Sequence, residues 1–288
     1  MGHSVDPMDA TTPTSTADLE AKVSGSSFYT ALRILPRRER EAMFAIYGFC
    51  RAVDDIADEP GRNPAEQIAT LDAWRDDLRA LYAGEARPTT LFLAEPVADF
   101  HLAEADFLAV VDGMAMDVGP PIRAPDFPTF DLYCDRVASA VGRLSVRVFG
   151  MAEAHGHQLA HHLGRALQFT NVLRDIDEDA AIGRLYLPAE ALDAAGIESR
   201  EPVDVIADPR IDSACRWVAA RAHEHYRKAD FLLKGGVKGR LRAPRLMSAV
   251  YGDILREMEK VGWSPPRARV SLGKGRLAWL ALSRGLIG

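Results

Sequence analysis

Cysteine is scarce in this 288-residue chain: Cys50, Cys134 and Cys215 are the full set, and no two of them form a C-x-x-C pair. Three widely spaced thiols make no disulfide framework and no zinc ribbon, so reduced thiols in a cytoplasmic protein are the expectation. Long apolar runs are absent too. None reaches the roughly 18–20 residues that a bilayer span requires, which restricts any membrane contact to the periphery. Alternating β-branched runs between tight hairpin turns are also missing, which argues against a sheet. Nor is there an excess of positive charge: 35 basic against 41 acidic side chains give a net charge of -6, and no nucleic-acid partner is expected. The first two dozen residues lack the basic start and apolar stretch of a signal peptide. Rich in Ser, Thr, Asp and Pro, residues 1–23 read as a disordered lead-in to a single all-α domain over residues 24–288.

What the chain has in abundance is helical periodicity. Apolar stripes predict helices over 27–35, 38–58, 64–83, 89–99, 103–117, 127–153, 157–181, 209–233, 243–262 and 274–286. Helices of this length bury their stripes against one another in a bundle. Gly119-Pro120-Pro121 with Pro125 and Pro128, Gly235-Gly236, and the stretch from Gly183 to Pro209 interrupt the pattern.

Two of these helices carry acidic stripes. In Phe44 to Asp58, the residues Tyr47, Arg51, Asp54 and Asp58 follow at intervals of four, three and four, so they share one helix face while Asp55 points about 100° away. Asp54 and Asp58 repel each other across roughly 5–6 Å, a cost that makes sense if a divalent cation bridges them. A lone D-D-x-x-D also describes a solvated helix end. Here Phe44, Ile46, Phe49, Val53 and Ile56 occupy much of the remaining circumference, which predicts a buried helix with its polar stripe facing a cavity. The second stripe is Gln168, Asn171, Asp175 and Asp179, at intervals of three, four and four. Hard oxygen donors on two helices suit Mg²⁺, which is held by a few carboxylates plus substrate phosphates. Arg51 and Arg174 adjoin these carboxylates, either as structural ion pairs or as grips for diphosphate oxygens. Arg184 and Tyr186 divide between the same two readings. Ser24, Gly25, Ser26 and Ser27 precede an apolar helix start, where free N–H groups and hydroxyls suit either a phosphate or ordinary capping.

At these residues the sequence resembles the squalene/phytoene synthase family. The likeness rests on Ser24-Gly-Ser-Ser-Phe28-Tyr29, the Tyr47 to Asp58 segment, Tyr133-Cys-x-x-Val-Ala-x-x-Val-Gly142, Gln168 to Asp179, Arg184-x-Tyr186-x-Pro188 and Tyr251, with Asp58 and Asp175 separated by 117 residues. It covers about residues 24–262. Within the family, Gly25 to Pro36 and Phe49 to Asp58 look most like bacterial presqualene diphosphate synthases of hopanoid pathways. The resemblance implies an all-α isoprenoid-synthase bundle with a central cavity, and head-to-head condensation of two farnesyl diphosphates to presqualene diphosphate by a Mg²⁺-dependent prenyltransferase. It also implies three Mg²⁺ ions held by Asp54, Asp58, Asn171, Asp175 and Asp179, stabilisation of developing negative charge by Arg51 and Arg174, and an orienting role for Gln168. Phe28, Tyr47, Tyr133 and Tyr251 would shield the allylic cation, and either Tyr133 or the departed diphosphate would take the proton lost on cyclopropane closure. Phytoene and dehydrosqualene synthases share the metal residues. A chain-elongating or cyclising isoprenoid enzyme, or a catalytically silent isoprenoid-binding helical protein, is the remaining alternative.

Two motifs are set aside. His157-Gln-x-x-His161 has Gln where a zinc-protease helix needs Glu, and Gly273-Lys-Gly275-Arg-Leu-Ala278 lies too near the end of the chain for a βαβ unit, so no NADPH is expected. The basic C-terminal stretch bears Arg267, Arg269, Lys274, Arg276 and Arg284 without an acidic residue over 261–288. That asymmetry is expected not to serve the metal site. Residues 277–287, apolar with Trp279, are expected either to dock on the core or to lie at the inner membrane surface, where an amphiphilic product would pass to downstream enzymes.

Overall fold

A computed structural model describes residues 32, 35–59, 61–235, 238–273, 275 and 276. The expectations for residues 1–31, among them Ser24 to Phe28, and for the terminal helix over 274–286 apart from Gly275 and Arg276, lie outside the described residues. The described chain is all-α. Its elements are α1 (Arg37–Ala57), α2 (Pro64–Tyr82), α3 (Leu91–Phe100), α4 (Glu104–Met116), α5 (Phe127–Cys134), a π-helical turn (Asp135–Ser139), α6 (Ala140–Val148), α7 (Glu153–Arg174), α8 (Ile176–Ala181), α9 (Ala189–Ala194), α10 (Pro202–Ala207), α11 (Ile211–Lys234) and α12 (Arg242–Val261). Among the described residues the extended pairing is confined to one parallel bridge between Arg123 and Leu185. It ties the proline-rich break to the segment that follows α8. No helix among them is long and apolar enough to cross a membrane.

Local chemistry starts several helices. The Asn63 side chain accepts from the Ala65 amide at 2.9 Å ahead of α2, and Asp126 accepts from the Thr129 amide at 2.9 Å ahead of α5, each satisfying an amide that the helix leaves unpaired. α1 is held from most sides: Phe44, Ile46, Phe49 and Val53 are buried, with Phe49 edge-on to Trp74 and Phe107. These residues belong to one apolar cluster built mainly on α1, α2, α4 and α6. A second cluster gathers α5, α7, α11 and α12 around Phe130, Phe169, Val218 and Leu255. α7 is central, packing on α6, α11, α12 and the π turn.

Two expected helices are broken. The one over 127–153 is interrupted by the π turn and ends at Val148, with Gly150 at a positive φ of 67°, a value at which glycine carries no steric cost. The one over 157–181 begins earlier, at Glu153, and breaks at Asp175 (φ -100°, ψ 16°). The stretch from Gly183 to Pro209, read as an interruption, contains the short helices α9 and α10.

Candidate active site

Between α1, the π turn with α6, α7 and α12 lies a cavity of about 310 Å³. Its lining on α7 runs from Leu159 to Asn171, twelve residues apart, or about 18 Å at 1.5 Å per residue. Most of the wall is apolar, including Met43, Ile46, Val141, Val146, Phe149 and Leu163. The polar side chains Tyr47, Gln168, Asn171 and Tyr251 collect at the other end. The π turn and α7 approach closely along this wall: a Cβ on Gly164 would stand 2.7 Å from Ser139 Cα and 2.8 Å from Ser139 N.

The acidic residues cluster beside that polar end. Arg51 donates to Asp54 (2.6 Å) and to Asp55 (2.6 Å). One guanidinium thus holds both neighbouring carboxylates. Asp54 has its carboxyl pushed up to about 6, by burial first and then by the charge of Asp58. Asp179 is pushed up to about 7, by burial first and then by Asp175. The second stripe is not one continuous helix, since α7 ends at Arg174. Its register survives the break because the Asp175 amide still donates to Asn171 O (2.9 Å) and the Asp179 amide to Asp175 O (2.8 Å). Arg174 forks onto Asp175 at 2.8 and 2.6 Å and lies 6.0 Å from the Tyr251 ring centroid. Arg184 crosses between the motifs, donating to Asp58 at 2.7 Å.

Tyr133 and Tyr186 are not among the residues that line the cavity; they are buried and stacked with centroids 4.9 Å apart. Their hydroxyls donate to the two oxygens of Asp117, at 2.9 and 2.6 Å. Burial, then the Asp117 charge, pushes both phenols well above their ordinary range, so each keeps its proton. The Tyr133 hydroxyl is thereby committed to Asp117.

Sequence reasoning missed Asp117. It is a single carboxylate after α4 with no partner at helical spacing, and its role depends on contacts with residues 16 and 69 positions away. The basic C-terminal stretch was expected to stand apart from the acidic motifs, but two of its arginines reach the second one. Arg269 pairs with Asp175 (2.7 Å) and Glu178 (3.2 Å), and Arg267 donates to Asp177 (2.9 Å). Charge is compensated between neighbours in space, so a local excess along the chain does not reveal its partner.

The donor set fits a hard divalent cation. Asn171 Oδ1 is buried and has no hydrogen-bond partner among the described residues, an orphaned acceptor that a cation would satisfy. Asp54 and Asp179 are raised by burial first and then by a neighbouring carboxylate, two effects that a bound cation would offset.

Known proteins share this architecture. The chain is 56% identical over 272 residues to the presqualene diphosphate synthase of Zymomonas mobilis subsp. mobilis, covering 92% of each. It is 52% identical over 264 residues to the presqualene diphosphate synthase of Rhodopseudomonas palustris, covering 91% of this chain and 94% of that one. Among solved structures, the squalene synthase HpnC from Alicyclobacillus acidocaldarius superposes with a TM-score of 0.76 at 27% identity, over 87% of this chain and 94% of that chain. The bundle is therefore of the isoprenoid-synthase type. With residues 21–276 matching the family pattern as well, the chain belongs to the squalene/phytoene synthase family.

Proposed function

We propose that the protein condenses two farnesyl diphosphates head to head into presqualene diphosphate, releasing one diphosphate. The observation that carries this reading is the apolar cavity, about 18 Å long along α7, ending beside two facing acidic motifs. Its size and lining suit a prenyl chain, and its polar end suits a diphosphate. The two presqualene diphosphate synthases, more than half identical to this chain, support the choice of substrate.

Asp54, Asp58, Asn171, Asp175 and Asp179 would hold Mg²⁺, which supplies positive charge that makes the donor diphosphate a better leaving group. Arg51, Arg174 and Arg184, already beside these carboxylates, stabilise charge as the donor C1–O bond breaks. Tyr47 and Tyr251 border the resulting allylic cation while Ile46, Val141 and Leu163 exclude water. C1 of the donor bonds to the acceptor double bond, and loss of one proton closes the cyclopropane. With Tyr133 engaged to Asp117, the departed diphosphate takes that proton.

Incubation of the purified protein and Mg²⁺ with farnesyl or geranylgeranyl diphosphate, with and without NADPH, followed by mass analysis of the products, tests the reading. Presqualene diphosphate from farnesyl diphosphate, unchanged by NADPH, is expected. Squalene, or a preference for the longer substrate, refutes it.

A further inference from the structure

Away from the carboxylates, α7 and α11 bring three histidines together. His161, His162 and His225 present ring nitrogens that all lie within 4.8 Å of one another, with His161 exposed and the other two half-buried. His162 Nδ1 and His225 Nδ1 are 3.1 Å apart. Two nitrogens bound to one tetrahedral zinc at about 2.0–2.1 Å stand about 3.3 Å apart, so the pair is already near the required spacing.

We propose that His161, His162 and His225 form a site for a transition-metal ion of the zinc class, with a fourth position open to solvent. The donors are all imidazole nitrogens, which select such metals over the Mg²⁺ that suits the oxygen-rich mouth. The two sites are separate, because His162 precedes Asn171 by nine residues on α7, about 14 Å along the axis. Arg165 Nη1 lies 2.9 Å from His161 Nδ1, which leaves Nε2 of His161 as its ligand atom. The Arg165 charge is offset by Asp131 (2.7 Å) and Asp135 (2.9 Å), and that of Lys228 by Glu224 (2.7 Å). Burial and the adjacent histidines keep His162 and His225 down at about 4, so both rings are neutral at neutral pH, and the proton that one Nδ1 shares with the other moves to Nε2 when a metal binds. His157, four residues before His161, takes no part. A bound ion fastens α7 to α11, the two helices that carry much of the second apolar cluster.

The test uses the full chain saturated with Mg²⁺, so that the carboxylate mouth is filled. Zn²⁺ is titrated by calorimetry and Co²⁺ by visible absorption. One Zn²⁺ per chain, an intense tetrahedral Co²⁺ spectrum and a raised melting temperature are expected. Binding should weaken about tenfold or more in His162→Gln and in His225→Gln, with helix content unchanged. His161→Gln, which alters an exposed side chain, supplies the same comparison should either of those fail to fold. Absence of saturable Zn²⁺ binding, or binding undiminished in the folded variants, overturns the proposal.

Discussion

The Asp117 carboxylate accepts from two stacked phenols while its backbone oxygen accepts from Arg184 at 3.4 Å. Removing the carboxylate strands both hydroxyls in a buried place, at about 1–3 kcal/mol each. Asp117→Ala is therefore expected to lower the urea midpoint substantially, and Asp117→Asn, which keeps an acceptor oxygen, to lower it less. Equal losses would show that the hydrogen bonds are not the source. A second expectation concerns protons. Asp54 and Asp179 titrate near about 6 and about 7, against an ordinary value of 3.8. Between about pH 4 and pH 7 the folded protein thus holds protons that the unfolded chain has released, and metal-free stability falls as pH rises through that window. Mg²⁺ requires the ionised forms, so its apparent affinity should climb from about pH 5.5 to 7.5 and then level off. Calorimetry in buffers of different ionisation enthalpy should find proton release at the lower pH only. The two acidic stripes were legible in the sequence because helical spacing relates their members. Asp117 and Arg269 were not, because their partners are fixed by the fold alone.

Helix periodicity located most elements but not the interruptions at Asp135–Ser139 and Asp175, where neither glycine nor proline warns of a change. The π turn has a tertiary cause. The buried Arg165 guanidinium on α7 draws in Asp131, Asp135 and the Ser139 hydroxyl at 2.7, 2.9 and 3.0 Å, partners spaced four residues apart across the turn. Such π segments often accompany functional sites, and Val137 and Ala138 of this one line the cavity. Its distance from α7 is set by Gly164, whose missing side chain lets Ser139 backbone atoms come within contact. Gly164→Ala must push the two apart, because those atoms belong to main chain and cannot rotate away. A loss of about 1–3 kcal/mol in thermal or urea unfolding is expected, with a rise in KM for farnesyl diphosphate as the wall shifts. Wild-type values for both would show that the close approach is not required.

For the molecule as a whole, the all-α class followed from composition and periodicity, while the length of the cavity followed only from the packing of α6 against α7. These helices run antiparallel, with Ser139 beside Gly164 and Val146 beside Gly156, so Val146, Phe149 and Leu159 form the end remote from the carboxylates. Phe149 is 3% exposed. Phe149→Leu should lengthen the cavity and move the kcat/KM ratio toward geranylgeranyl diphosphate by about tenfold, the lower end of what one methylene is worth in an apolar pocket. An unchanged ratio in competing-substrate assays would place the length determinant elsewhere.

The bond between Arg184 and Asp58 spans 126 residues, and Arg269 reaches back 94 residues to Asp175. Closing such long loops is entropically costly, and the groups that close them are partly wet rather than packed in the core. The mouth is thus expected to be completed last and to come apart first. In rising urea, catalysis should fail while circular dichroism still reports intact helices, and on dilution it should return after the helical signal has recovered. Coincident curves for activity and helicity would mean that the mouth and the bundle form as a single cooperative unit.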